Sequence, residues 1–201
     1  MDEKLLIEKS IQGDSESFEK LILSCEKKVY NIALKILGNE ADAYDAAQDT
    51  FIKVYKNLEK FKGNSSFSTW VYRITSNVCL DIIRKNKNKK NTVSIDKEIE
   101  FDDSDATFEI EDRNADTEEK ILEKERSEAL HKALSRLNPE QREILVLREF
   151  QNLSYDEIAN VLNIGTGTVK SKISRARAAL KNELLKNKEL FLSLFVLLIW
   201  K

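Results

Sequence analysis

The sequence predicts an all-α protein: two small helical domains joined by an acidic flexible linker, the second domain a helix-turn-helix. Three observations carry this. Five Gly and one Pro among 201 residues leave little room for chains of tight turns and favour helices. Apolar residues recur at helical spacing in segment after segment, and no alternating apolar/polar run resembles a hairpin. The net charge of −2 is segregated into blocks. Arg84, Lys85, Lys87, Lys89 and Lys90 form a basic cluster, twelve acids face only Lys97 and Arg113 between Ser94 and Glu119, and the last third turns basic again. Such blocks suggest different partners for different segments, although most charged runs are simply solvated helix faces. The length suits one ordinary domain or two small ones.

Several chemistries are not signalled. Cys25 and Cys79 are isolated, with no CxxC pair and no secretory signal, so buried free thiols in a reducing cytosol are expected. His131 is the only histidine, and no Cys/His cluster has metal-ligand spacing. Neither a glycine-rich phosphate loop nor a Gly-x-Ser-x-Gly elbow is present. No enzyme activity, catalytic residue, metal or cofactor is therefore expected.

The first domain, 1–90, reads as several helices. "FEKLILSCEKKVYNIALKIL" carries one apolar stripe through Phe18, Leu21, Ile22, Cys25, Val29, Ile32, Ala33, Ile36 and Leu37, so it reads as one helix. Gly38 and Asn39 are natural stops. A second helix runs through Leu58 with Tyr44, Phe51, Val54, Tyr55 and Leu58 on its inward side. After the polar break "KFKGNSS", a third spans about 67–84 and buries Phe67, Trp70, Val71, Ile74, Val78 and Ile82. The linker, 91–116, has no sustained period and too much acid to pack alone.

The second domain, 117–187, contains two start signals. Asn138, Pro139 and Gln141 suit a cap, the first helical position and a capping box. Ser154 and Glu157 repeat the signal before a short helix with Ile158, Ala159 and Leu162 inward. Asn163 then sits where the chain turns sharply, a place Asn tolerates well, and Thr166 is the expected cap of the next helix. That helix, "TVKSKISRARAALK", holds five Lys or Arg residues and no acid. Val169, Ile173, Ala176 and Leu180 recur at i, i+4, i+7 and i+11, leaving Lys170, Ser171, Ser174, Arg175 and Arg177 outward. Helix, short turn, basic helix is the plan of a DNA reader, whose outward side chains reach base edges and phosphates. A membrane-surface helix would need a broader apolar face with Phe or Trp.

The residues from Gly38 to Lys85, "GNEADAYDAAQDTFIKVYKNLEKFKGNSSFSTWVYRITSNVCLDIIRK", resemble the core domain of sigma-70 family initiation factors, in the small two-domain extracytoplasmic-function (ECF) group. The stretch from Ala133 to Leu180, "ALSRLNPEQREILVLREFQNLSYDEIANVLNIGTGTVKSKISRARAAL", resembles that group's C-terminal domain. The resemblance covers roughly residues 8 to 185 apart from the linker. It implies an alternative sigma factor, a cytoplasmic bacterial protein whose partners are core RNA polymerase, promoter DNA and an anti-sigma factor that can hold it at the membrane.

Residue by residue, the resemblance implies the following. Asp42, Asp45 and Asp49 recur at i, i+3 and i+7, and in similar factors this helix docks the clamp helices of the polymerase's largest subunit; Asp45, Gln48, Asp49 and Lys53 are the expected polymerase contacts. "KGNSSFSTW" resembles the loop that lodges a flipped base of the −10 element, making Gly63, Asn64, Ser65 and Ser66 the expected pocket. Phe67 and Trp70 are expected to pack rather than stack on DNA. Arg73, Asn77 and Arg84, at i, i+4 and i+11, are expected to hold the strand, and Ser76 and Asn77 to give that face a polar character. Lys170, Ser171, Ser174, Arg175 and Arg177 would read the −35 element. In relatives the acidic linker threads the polymerase cleft as a nucleic-acid mimic.

The chain departs from the family pattern in its tail, 188–201. "LFLSLFVLLIW", Leu190 to Trp200, is almost wholly apolar, yet as a helix it covers only ~16 Å against ~30 Å for a bilayer core. Burial by a partner or a membrane surface is expected, because an all-round apolar segment poorly matches a one-sided docked helix.

Overall fold

The computed structural model describes the backbone of residues 3–92 and 117–186, with side chains for 3–87 and 126–186. Nearly all of the linker and the apolar tail lie outside the described residues. The N-terminal domain consists of α1 (Glu3–Ile11), α2 (Ser15–Leu23), α3 (Glu26–Leu37), α4 (Glu40–Asn57), a 3-10 turn (Leu58–Lys60) and α5 (Phe67–Thr92). The C-terminal domain consists of α6 (Thr117–Ser135), α7 (Pro139–Leu145), a π-helical turn (Val146–Phe150), α8 (Tyr155–Leu162) and α9 (Thr166–Leu185). No strand occurs among the described residues.

The single helix expected across the first apolar stripe is two, α2 and α3. The break has a local cause. Ser24 Oγ donates to the Leu21 carbonyl (2.6 Å), and Cys25 leaves the helical region at φ −127°, ψ −6°. A hydroxyl that captures a carbonyl of its own helix competes with the ladder. The stripe persists across the break because Leu21, Cys25, Val29, Ile32, Ala33 and Ile36 are all buried. Both cysteines are buried and free. Gly38 ends α3 at φ +85°, donating its N–H to the Leu34 carbonyl (2.8 Å), the left-handed cap that glycine adopts without a Cβ penalty.

In α4 the inward side is built of small residues. Ala43, Ala46, Ala47, Thr50 and Val54 are buried, whereas Tyr44 is 59 % and Tyr55 60 % exposed. The inward stripe is therefore rotated from the expected one: alanines let α3 and α4 approach closely, and large rings cannot fit between them. Thr50 is accommodated by donating to the Ala46 carbonyl (2.7 Å). Tyr55 meets Phe18 edge-on at 5.0 Å, from the rim of the core. α5 starts at Phe67 as expected and continues past Arg84 to Thr92.

The two domains pack together, and their buried apolar residues form one continuous cluster. Polar groups key the contact. Arg142, on α7, donates from Nη1 to the Ile36 carbonyl of α3 (2.7 Å) and from Nη2 to the Ser135 and Leu137 carbonyls. A guanidinium at the C-terminal end of α3 also answers the negative pole of that helix. The Lys35 ammonium stands 4.3 Å from the centre of the Phe150 ring, and burial pushes its pKa down to about 8. Half-buried His131 lies against Gly38, and burial, with Lys35 and Arg142 nearby, lowers its pKa. Glu143 of α7 is 4 % exposed beside Ser76 of α5.

Arg142→Ala strips three carbonyls of a charged donor. It is expected to lower unfolding stability by about 2–4 kcal/mol in a urea titration.

Candidate nucleic-acid and polymerase interfaces

Three local devices position α9, the expected reading helix. Ser154 and Glu157 form a reciprocal capping box at the start of α8: Glu157 N–H donates to Ser154 Oγ (3.2 Å), and Ser154 N–H to Glu157 Oε2 (2.8 Å). Asn163 takes the left-handed conformation at φ +54°, ψ +47° and turns the chain. Gly165, rather than Thr166, is the N-cap of α9, and Thr166 is its first helical residue. At α7 the Asn138 side chain accepts from the Gln141 N–H (2.8 Å) with Pro139 in the first turn.

On α9 the stripe Val169, Ile173, Ala176, Leu180 is buried and extends to Leu184. Lys170, Ser171, Ser174 and Arg175 are exposed on the opposite side. Arg175 folds back along its own helix toward Ser171 (3.3 and 3.4 Å), long contacts that a ligand can replace. Arg177 is placed differently. Both Nε and Nη2 donate to Glu149 of the π-helical turn (2.9 and 2.6 Å), so its fork is occupied within the domain. Lys172 is likewise bonded to Glu140 (2.6 Å).

The loop before α5 rests on an aromatic cluster. Phe61 lies 5.3 Å from Trp70 and 6.0 Å from Phe67, ring centre to ring centre, and Phe67 is 1 % exposed. Gly63 turns at φ +70°, while Asn64 and Ser66 are exposed and Ser65 partly so. Ser66 has a structural use that the sequence did not reveal: its Oγ accepts from the Thr69 N–H (3.2 Å), the bond of a helix cap. Arg73, Asn77 and Arg84 are exposed along α5, Arg84 pairing with Asp81 at 3.2 Å. Ser76 is 2 % exposed and faces the other domain, so it does not belong to that polar face.

Asp45, Gln48, Asp49 and Lys53 all lie exposed on the outer side of α4. Among them stand three exposed apolar residues: Tyr44 and Tyr55, which the sequence placed inward, and Ile52 (51 % exposed), which it passed over. An apolar centre with a charged rim is the anatomy of a protein-docking face. The signal was present in the spacing of Tyr44 and Ile52, eight residues apart and flanking Gln48. No set of His, Cys, Asp and Glu among the described residues could hold a metal, and no helix there is long and apolar enough to cross a membrane.

These surfaces define a two-domain helix-turn-helix protein with an exposed polar loop before α5 and a separate face of charged and apolar residues on α4. Residues 21–89 match the family Sigma-70 region 2, and residues 127–180 match Sigma-70, region 4. The ECF RNA polymerase sigma factor SigW of Bacillus subtilis is 33 % identical over 186 residues, 90 % of this chain and 98 % of that protein. The RNA polymerase sigma-H factor of Pseudomonas aeruginosa is 33 % identical over 181 residues, 89 % of this chain and 92 % of that one. Two solved structures share the fold at 24 % identity. CnrH in complex with the cytosolic domain of CnrY has a TM-score of 0.64, covering 94 % of this chain and 99 % of that one. RpoE in complex with the anti-sigma factor NepR, from Bartonella quintana, has 0.61, covering 85 % and 98 %. The chain belongs to the sigma-70 family, in its ECF group, and is an alternative sigma factor.

Ser154→Ala removes one half of the capping box and is expected to cost about 1 kcal/mol in chemical denaturation. Asn163→Val, a β-branched residue in the left-handed region, should cost at least as much, and Asn163→Gly far less.

Proposed function

We propose that this sigma factor divides promoter recognition between its two domains, with no catalytic chemistry of its own. The N-terminal domain takes the −10 element, lodging a base against Gly63, Asn64, Ser65 and Ser66 and tracking the strand with Arg73, Asn77 and Arg84. The C-terminal domain reads the −35 element through Lys170, Ser171, Ser174 and Arg175. Arg177 joins them once it exchanges Glu149 for a phosphate. Core polymerase docks on α4 through Asp45, Gln48, Asp49 and Lys53, with Tyr44 and Ile52 as the apolar centre. The observation that carries this reading is the pairing, on one chain, of an exposed basic reading helix with a separate docking face of charge and exposed apolar residues. A free repressor needs only the first.

Two further parts rest on the relatives. Of the two solved structures of similar fold, one is a complex with an anti-sigma factor and the other with the cytosolic domain of a second protein, so a dedicated anti-sigma factor is proposed to restrain this chain in the cytoplasm, at the membrane where that factor is anchored. The acidic linker is proposed to run through the polymerase cleft.

The direct test is promoter binding by the purified chain with and without core polymerase. Tight sequence-specific binding in both cases would overturn the reading in favour of a free-standing transcription factor.

Substitutions separate the surfaces. Arg175→Ala should cost ~1–3 kcal/mol at the upstream element and relax its sequence preference. Lys170→Ala should cost less and reduce the salt slope by about one unit. Asp45→Lys with Asp49→Lys should abolish polymerase binding with helicity retained, as circular dichroism would show. Changing Ser65 and Ser66 should alter the preferred downstream base while polymerase binding persists.

A further inference from the structure

The domain contact contains a group that the promoter and polymerase surfaces do not use. Glu143 is 4 % exposed and lies between α7 of the C-terminal domain and α5 of the N-terminal domain, with its carboxyl beside Ser76 and near Cys79. No ion pair reaches it among the described residues. Ser76 Oγ, itself buried, stands off true hydrogen-bond geometry and has no partner there. The charged groups that bear on Glu143 are Glu140 on its own helix, Lys172 of α9 and Arg84 of α5, and the two cations are each committed to another carboxylate. A carboxylate this buried, with no ion pair among the described residues, is disfavoured as an ion and fits better as a neutral acid.

The same packing constrains DNA. Asn64, Ser65 and Arg73 of one domain and Asn160, Asn163 and Gly165 of the other line one cleft of about 490 Å³. On the reading proposed above, the promoter elements of the two domains lie about 25 base pairs apart, on the order of 80 Å at the ~3.4 Å rise of duplex DNA. A major groove roughly 12 Å wide must also straddle the start of α9, where the N-terminal domain now stands. Promoter engagement therefore requires the domains to part.

We propose that Glu143 is a proton-operated latch between the two domains: protonated, it lets them close and hold the chain off the promoter, and ionised, it favours their separation. The promoter consequence rests on the proposed division of recognition; the latch itself does not. Burial pushes the Glu143 pKa up to about 7 from an ordinary 4.5. A group whose pKa is raised on closing favours closure fully below its ordinary value and loses that effect as pH rises through its closed-state value. The window is thus about pH 4.5 to 7, with acid closing the latch. His131 acts in the opposite sense. Its pKa is lowered by burial, Lys35 and Arg142, so its protonation below about 6.5 opposes closure. Lys35, pushed down to about 8, changes charge above this window.

The test is the distance between fluorophores at Lys27→Cys and Asn182→Cys, both exposed positions in different domains, in the full chain carrying His131→Asn. The native thiols are buried, with Cys25 and Cys79 pushed up to about 11 and about 12, so labelling at pH 7 favours the introduced sites. Between about pH 7 and 5 the closed-to-open ratio should rise by up to tenfold per pH unit. With Glu143→Gln added, the chain should remain closed across this range, and Glu143→Asp should restore a pH-dependent response. A flat profile in the chain that keeps Glu143, an unchanged pH response after Glu143→Gln, or a distance change accompanied by loss of helicity would each overturn the latch. Promoter binding is not measured, so failure here is distinct from failure of the promoter reading.

Discussion

One guanidinium ties the backbones of the two domains together. Arg142 sits where the last carbonyls of α3 meet the connection between α6 and α7, and donates to Ile36, Ser135 and Leu137. Carbonyls at the end of a helix have no partner within it and must find a donor when buried. Arg142 supplies one to each domain at once, across 106 residues of sequence. Beside it stand Lys35 and His131, and Glu143 lies further along the same contact next to Ser76, each with its pKa displaced by burial. The contact thus combines an apolar cluster with charges that water can satisfy again once exposed. Interfaces of that composition suit domains that separate and rejoin.

The functional surfaces follow from how the helices bury their apolar sides. α9 commits Val169, Ile173, Ala176 and Leu180 to the core, which fixes Lys170, Ser174 and Arg175 outward. α4 uses alanines inward, which leaves tyrosine and isoleucine outside among acids. The first side suits a polyanion, the second a protein partner. Membership of the ECF sigma factors brings both onto one chain whose business is to introduce polymerase to DNA.

Much of this was legible in the sequence, because it rests on local rules. The capping box at Ser154 and Glu157, the left-handed Asn163 and the inward stripe of α9 each depend on residues within a turn or two of one another. The acid stripe of α4 was legible for the same reason. What escaped depends on distant partners or on competition between bonds. The break between α2 and α3 lies in a hydroxyl, Ser24, choosing a carbonyl. The α4 stripe was misplaced because alanines weigh little in an apolar pattern yet decide close packing. Ser66 as a cap, Arg177 in the hands of Glu149 and Ser76 under the other domain all require knowing which residue arrives from elsewhere. The domain contact itself, with Arg142 reaching α3, left no mark in the pattern of either segment.

On the proposed function, the chain gives polymerase a two-part promoter preference. Transcription from a randomised promoter library by core polymerase reconstituted with the purified chain measures this directly. Productive templates should be enriched for two short blocks at a fixed separation, near −35 and near −10, and core polymerase alone should enrich neither. A single enriched block, or the same templates with and without the chain, would contradict it.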